Sequence, residues 1–429
     1  MNIVMLTNTY TPHVGGVARS VAAFTAEYRR RGHRVLVVAP EFDNQPCDEV
    51  DVVRIPAIQQ FNGSDFSAAL PVSGLLTETL DTFRPDIVHA HHPYLLGMTA
   101  LRIARYRELP LVFTHHTLYE QYTHYVPLDS PAFKRFVIEL ATRYSNLCDQ
   151  VFVPSESIAA LLRERNVKAP VAVVPTGVDV AQFAHGDGTS FRATCGIPAG
   201  AFVVGHLGRL APEKNLEFLA GAVASFLKSA PNAHFLLVGE GPTEPAIRVV
   251  FEGAGLRDRL HVAGILQPTE LANAYHAMDV FAFTSRSETQ GMVLTEAMAA
   301  GVPVVGLDAP GVREVVKDQR NGRLLHEATV VAFAAALKWV AELPAEGRQQ
   351  LRLGASDTAE AFSLSRSADK ALACYDTLRE KSFATRPYEY EQWERVMSLL
   401  KAEWDILMGM AGAAGVAFSE TGQSDGTPP

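Results

Sequence analysis

Cysteine is scarce in this chain. Cys47, Cys148, Cys195 and Cys374 are the only four among 429 residues, and no two of them form a CxxC pair. That excludes a disulfide framework and a zinc knuckle as organising devices. Long apolar runs are missing too. None is long enough to cross a bilayer, and the first, Ile3-Val4-Met5-Leu6, stops at Thr7-Asn8 instead of continuing as the core of a secretory signal. Basic excess is also absent: 38 Lys+Arg stand against 47 Asp+Glu, a net charge of -9. Nucleic acid is therefore not expected as a partner. Most of the negative charge falls after residue 180; the first 180 residues are only slightly acidic. Arg29-Arg30-Arg31 and Lys134-Arg135 are the basic clusters of that half, too small for a strong pull toward anionic lipid. The expected location is cytoplasmic, with peripheral contact at the inner membrane face as the further option.

What is present is ample core material. Residues are 48% hydrophobic and 20% charged, as in soluble globular proteins, and the length suits two α/β domains rather than one core. Ile3–Leu6, Val35–Ala39, Asp86–His89, Leu111–Thr114, Gln150–Val153 and Val171–Val174 read as buried parallel strands, because they are continuously apolar and not alternating. Helical stretches lie between them, such as Val17–Arg31, which stops at Gly32. Phe202–Leu207, His234–Val238, Leu260–Ala263, Val280–Thr284 and Val302–Gly306 repeat the pattern. Two doubly wound, Rossmann-like domains follow, over 1–178 and 201–384. Residues 179–200 lack a period and read as the linker. Residues 385–408 read as an amphipathic helix, and the Gly/Ala/Ser-rich stretch 409–429 is expected to be disordered.

Four constellations could carry chemistry. Ser285-Arg286-Ser287-Glu288-Thr289-Gln290-Gly291 follows a strand, and a helix of good formers then begins at Met292-Val293. Ligands of such sheets bind at the carboxyl ends of strands, where a helix N-terminus offers free N–H groups to a phosphate. Glu288 could accept hexose hydroxyls there, and Glu296, inside the helix, ribose hydroxyls. The plain alternative makes both of them solvated helix acids. Arg209 and Lys214 stand five residues apart in the loop after another strand, a planar fork and a point charge able to hold a diphosphate. A charged surface loop is the alternative for that pair. Thr9 to Val17 joins the first strand to the first helix, and Gly15-Gly16 there would let backbone approach a ligand; a tight turn is the alternative. Last comes a histidine group, His89, His91, His92, His115 and His116, whose spacing lacks a zinc pattern. It runs into Tyr119, Glu120 and Tyr122, a composition suited to an acceptor pocket.

In this order, these pieces resemble the retaining glycosyltransferase family 4, of GT-B fold, over roughly residues 1–380. Gly15-Gly16 resembles its glycine loop, Arg209 and Lys214 its diphosphate-binding cations, Glu288 to Glu296 its E-x7-E element, and Thr176-Gly177-Val178-Asp179 its interdomain N-G-V-D. His116 falls where members place a histidine near the donor's anomeric carbon. His115 to Pro127, with His91-His92-Pro93-Tyr94, is most similar to bacterial members that glucosylate diacylglycerol from UDP-glucose.

The resemblance implies a hexosyltransferase that retains anomeric configuration and needs no metal. His116 and Glu288 would serve the reacting sugar. Gly15, Gly16, Arg209, Lys214, Gly264, Gly291, Met292, Val293 and Glu296 would hold the donor, with its base near Gly264. Tyr119, Glu120 and Tyr122 would meet the acceptor. UDP-glucose and 1,2-diacylglycerol are the expected substrates. GDP-mannose-dependent transfer and a soluble acceptor are the alternatives, and a UDP-sugar 2-epimerase is a more distant one. Oligomeric state is not legible.

Overall fold

The computed structural model describes residues 1–13, 15–58, 68–69, 76–121, 130–286 and 288–381. The expected helix at 385–408, the tail at 409–429 and Tyr122 lie outside them. Met1–Lys381 is one unit carrying both sheets.

The first lobe holds β1 (Asn2–Leu6), β2 (Arg34–Pro40), β3 (Val52–Ile55), the short pair β4 (Ala57–Ile58) and β5 (Ala68–Ala69), β6 (Ile87–Ala90), β7 (Leu111–Thr114), β8 (Gln150–Val153) and β9 (Val171–Val173). Its helices are α1 (Gly16–Arg30), α2 (Thr77–Phe83), α3 (Leu96–Tyr106), α4 (Pro131–Asn146) and α5 (Glu156–Glu164). Seven strands form one parallel sheet, ordered β3-β2-β1-β6-β7-β8-β9. The continuously apolar runs are the central strands: Ile3, Val4, Met5, Ile87, Val88, Val112 and Phe113 have no exposed surface. β3 escapes the same reasoning because it is an edge strand broken by Arg54 and only partly buried.

The second lobe has α6 (Val180–Phe183), α7 (Gly188–Thr194), β10 (Phe202–Leu207), α8 (Leu216–Ser229), β11 (Ala233–Val238), α9 (Glu244–Gly253), β12 (Leu260–Gly264), α10 (Pro268–His276) and β13 (Val280–Phe283). It continues with α11 (Met292–Ala299), β14 (Val304–Leu307), α12 (Val312–Val315), β15 (Gly322–Leu325), α13 (Val330–Glu342), α14 (Ala345–Ala361) and α15 (Leu364–Arg379). Six parallel strands are ordered β12-β11-β10-β13-β14-β15, with an apolar cluster on each face. β14 starts at Val304 and not at Val302. The Val302 N–H turns back to the carbonyl of Ala297 at 2.9 Å and closes α11 through Gly301, whose φ is +71°.

Two departures from the expected domain pattern concern connections. Residues 179–200 are not structureless: α6 and α7 form there, and Phe183, Ile197 and Ala201 join the second lobe's core with Tyr275 and Met278. Their apolar anchors are too widely spaced to show a period. α15, assigned by sequence to the second domain, packs on the first. The Tyr375 ring lies 5.9 Å from that of Tyr28 and 5.8 Å from that of Phe152, and Arg31 pairs with Asp369. The chain crosses where Leu364 donates to the Val178 carbonyl at 2.9 Å, and a Cβ on Gly177 would stand 2.1 Å from the Leu364 Cα.

Candidate active site

Strand order reverses between β1 and β6 in one sheet and between β10 and β13 in the other. Crevices beyond the carboxyl ends of such strands are where ligands bind. Gly15 and Gly16 follow β1, Arg209 and Lys214 follow β10, Glu288 and Gly291 follow β13, and His116, Tyr119 and Glu120 follow the neighbouring β7.

In the second lobe, the loop after β10 carries Arg209 and Lys214. Arg209 is about half exposed and pairs with Glu213 one turn on. Lys214 ends a short 3-10 turn, Pro212–Lys214, and Asn215, at φ 58°, redirects the chain into α8. The Thr284 hydroxyl, just past β13, donates to the carbonyls of Lys214 and Asn215, each at 3.1 Å, and so stitches the two loops together. Lys214 Nζ reaches Glu288 Oε1 at 2.5 Å, joining residues 74 positions apart. Gly291, at φ +71°, precedes α11, whose start has no side-chain cap. The amides near Met292 and Val293 therefore face the same crevice with the positive end of the helix. Gly264, at φ +67°, ends β12 on the far side of β10 and accepts a 2.8 Å bond from the Gly239 N–H.

Glu296 is not a solvated helix acid. Only 2% of it is exposed. One carboxylate oxygen accepts from the Tyr275 hydroxyl at 2.8 Å, and the other pairs with Arg19 of the first lobe. Burial, then the Glu296 charge, pushes the Tyr275 phenol well above its usual range.

In the first lobe, Gly15 precedes α1 in extended conformation and Gly16 begins it without a side-chain cap. A Cβ at Gly16 would meet nothing within 4 Å, so its backbone borders open space. His89 lies in β6, and His91, His92, His115 and His116 follow β6 and β7. His89 bonds the Thr114 hydroxyl at 2.7 Å and the Tyr375 hydroxyl at 2.6 Å. His92 accepts the Asn8 N–H at 3.1 Å. His91 Nδ1 and His116 Nε2 are 3.0 Å apart. Burial lowers the pKa of His89 and of His92 to about 3 and of His115 to about 4, and holds His91 and His116 well below the imidazole range. This is a neutral cluster, not a charged patch.

The expected acceptor residues are less convergent. The Tyr119 ring turns inward, 5.6 Å from that of Tyr94 and 6.0 Å from that of His115, and its hydroxyl has no partner among the described residues. Glu120 is tied to Arg165 at 2.6 Å.

The lobes meet through Thr289, Gln290 and Ser155, whose side chains had no assigned role in the sequence. Thr289 Oγ1 donates to the His116 carbonyl at 2.8 Å, and Ser155 Oγ donates to the Thr289 carbonyl at 2.8 Å. The Thr176 N–H donates to Gln290 Oε1 at 2.6 Å, and within the first lobe Ser20 and Thr176 share a hydroxyl bond of 2.9 Å. Glu288 to Glu296 therefore touches the Arg209–Lys214 loop on one side and the other lobe on the opposite one. Arg19 had one available signal: it sits one helical turn beyond Gly16, on the glycine-loop end of α1.

Known proteins share this plan. The family model described as Glycosyltransferase Family 4 matches residues 14–182, and Glycosyl transferases group 1 matches 189–357. An alpha-monoglucosyldiacylglycerol synthase of Streptococcus pneumoniae is 29% identical over 332 residues, 76% of this chain and 75% of that one. A GDP-mannose-dependent alpha-mannosyltransferase of Mycobacterium tuberculosis is 30% identical over 350 residues, 76% of this chain and 84% of that one. Among solved structures, HepE of Anabaena in complex with UDP superposes with a TM-score of 0.71 at 21% identity, covering 88% of this chain and all of that one. Both halves of the sequence, and the two facing parallel sheets they build, thus lead to one conclusion: the chain belongs to glycosyltransferase family 4 and has the GT-B fold.

Proposed function

We propose that this glycosyltransferase moves glucose from UDP-glucose to a hydroxyl of 1,2-diacylglycerol, with retention at the anomeric carbon and without a metal. The observation that carries the donor site is the contact between Lys214 and Glu288, which joins two loops beside the α11 N-terminus. The similarity to a monoglucosyldiacylglycerol synthase supports the choice of sugar and acceptor.

In this proposal Arg209, Lys214 and the amides of Gly291, Met292 and Val293 hold the diphosphate and neutralise it as it leaves, the work a divalent ion does elsewhere. Lys214 exchanges Glu288 for phosphate oxygen, which frees the Glu288 carboxylate to accept hexose hydroxyls. Glu296 accepts the ribose hydroxyls through lone pairs not used by Arg19 and Tyr275, and the base lies beside Gly264. Gly15 and Gly16 bring the first lobe's backbone close to the donor. His116, neutral at physiological pH, positions the sugar and is not a strong base. Glu296 is too committed to act as a glycosidase-like second carboxylate. The acceptor oxygen then attacks on the face the phosphate leaves: the new C–O bond forms as the old one breaks, and the hydroxyl proton passes to the leaving phosphate oxygen. The acceptor enters beside Tyr119, Glu120 and Tyr122. Among the described residues no helix is long and apolar enough to cross a membrane, so lipid would be met from the surface.

The test supplies UDP-glucose or GDP-mannose, with EDTA, to vesicles containing diacylglycerol. The expected product is an α-glucosyl lipid made from UDP-glucose alone. Turnover only with GDP-mannose, which the mannosyltransferase relative would favour, or only with a soluble alcohol, would reject the assignment.

A further inference from the structure

His91 has no role in the mechanism above, yet its ring sits directly behind His116. It follows β6, is 1% exposed, and its Nδ1 lies 3.0 Å from His116 Nε2. The two rings are stacked, with centroids 5.3 Å apart at 24°. Its other face is backed by the ring of His89 at 4.2 Å, which Thr114 and Tyr375 hold from both nitrogens. His91 Nε2 is buried and has no hydrogen-bond partner among the described residues. A ring with one nitrogen unpaired in a core is unfavourable; if the position served packing alone, an apolar side chain would serve better.

We infer that His91 is a positioning residue that fixes the tautomer and orientation of His116, an inference that rests on the placement of His116 beside the donor sugar. Neutral imidazole carries one proton on its two nitrogens. Of the two nitrogens that face each other, only one can be protonated while they share a hydrogen bond. If His91 Nδ1 carries it, His116 bears its proton on Nδ1; if His116 Nε2 carries it, His116 Nδ1 is a bare acceptor. The bond therefore couples the two rings, so that the tautomer His91 holds decides whether the remaining nitrogen of His116 donates or accepts. The His116 carbonyl is separately held by Thr289 of the donor-side loop. The residue is thus held twice, at its main chain by the second lobe and at its ring by His91.

The experiment compares His91→Asn, His91→Gln and His91→Leu in the full chain. The Asn amide overlays the ring Nδ1 and keeps the bond to His116; the Gln amide reaches toward the Nε2 position; Leu keeps only volume. Long-range proton–nitrogen spectra of histidine-labelled protein read the His116 tautomer, assigned by its loss in His116→Ala. UDP-glucose turnover and UDP affinity are measured alongside. Wild type and the Asn variant are expected to show one His116 tautomer and similar kcat. The Gln and Leu variants are expected to show a tautomer mixture and a kcat lower by on the order of tenfold, with UDP affinity unchanged. Unchanged His116 signals in His91→Leu, or equal kcat in all three variants, would overturn the inference. A His116→Ala enzyme as fast as wild type would instead sink the role given to His116, while the spectra would still judge whether His91 sets its tautomer.

Discussion

At the scale of single residues, the cations that sequence identifies are already engaged. Arg209 pairs with Glu213 and Lys214 with Glu288. In the proposed mechanism a diphosphate must draw both from these partners, so its grip is the difference between two charge-assisted contacts. Arg209→Ala is still expected to weaken UDP-glucose binding and slow transfer by about tenfold or more, since such a contact contributes about 1.5–3 kcal/mol. Equal kinetics would reject the diphosphate role. The buried histidines make a different prediction. His89 and His92 keep a pKa of about 3 in the fold because burial disfavours their charged forms. Below pH 6.5 the unfolded chain takes up protons that the folded protein refuses. Stability is therefore full above that pH and falls as pH drops from 6.5 toward 5, by roughly 1 kcal/mol per pH unit for each such group. Denaturant unfolding at pH 7, 6 and 5 checks this; a flat profile would contradict it.

At the scale of elements, the junctions carry the design. α5 begins at a serine used twice: Ser155 Oγ caps the Ile158 N–H at 3.4 Å and donates to the Thr289 carbonyl at 2.8 Å. Glu314 of the second lobe accepts the Ser157 N–H at 2.9 Å, so one helix start is completed by both lobes. Gly177 is a tight crossing. A Cβ there would stand 2.1 Å from a backbone atom of Leu364, at the start of α15. Gly177→Ala should displace α15 and release Tyr375 from His89. The expected readouts are a fall in thermal midpoint of several degrees and faster amide exchange in α15. An unchanged midpoint would mean that the crossing yields easily.

At the scale of the whole molecule, five polar links among the described residues join the lobes beside the site: Arg19 to Glu296, Thr289 to His116, Ser155 to Thr289, Gln290 to Thr176 and Glu314 to Ser157. Four of them use residues of the stretch from Glu288 to Glu296, so in the proposed mechanism donor binding and lobe closure draw on the same loop and helix. Arg19→Ala and Thr289→Val are each expected to open the cleft, seen as a larger radius of gyration in solution scattering without donor. Each should also raise the KM for UDP-glucose, and the double variant should do both more strongly. Scattering curves identical to wild type in the double variant would mean that other contacts hold the lobes.

Much of this was legible in the residues. Central parallel strands are apolar on both faces, so β1, β7, β8 and β10 could be placed almost to the residue. Gly291, Arg209 and Lys214 declare themselves by standing where strands end. The edge strand β3 and the helices α6 and α7 could not be read this way, because half-buried segments carry mixed patterns. The sequence by itself determined the two-lobed fold, the family and the loops at the strand ends that carry Arg209, Lys214 and Gly291, since these follow from local periodicity and from motifs a few residues long. Only the tertiary structure decided that Glu296 is buried against Arg19 and Tyr275, that α15 returns to the first lobe, and that His91 stands behind His116. Those are contacts between residues tens to hundreds of positions apart, and local pattern holds no record of a distant partner.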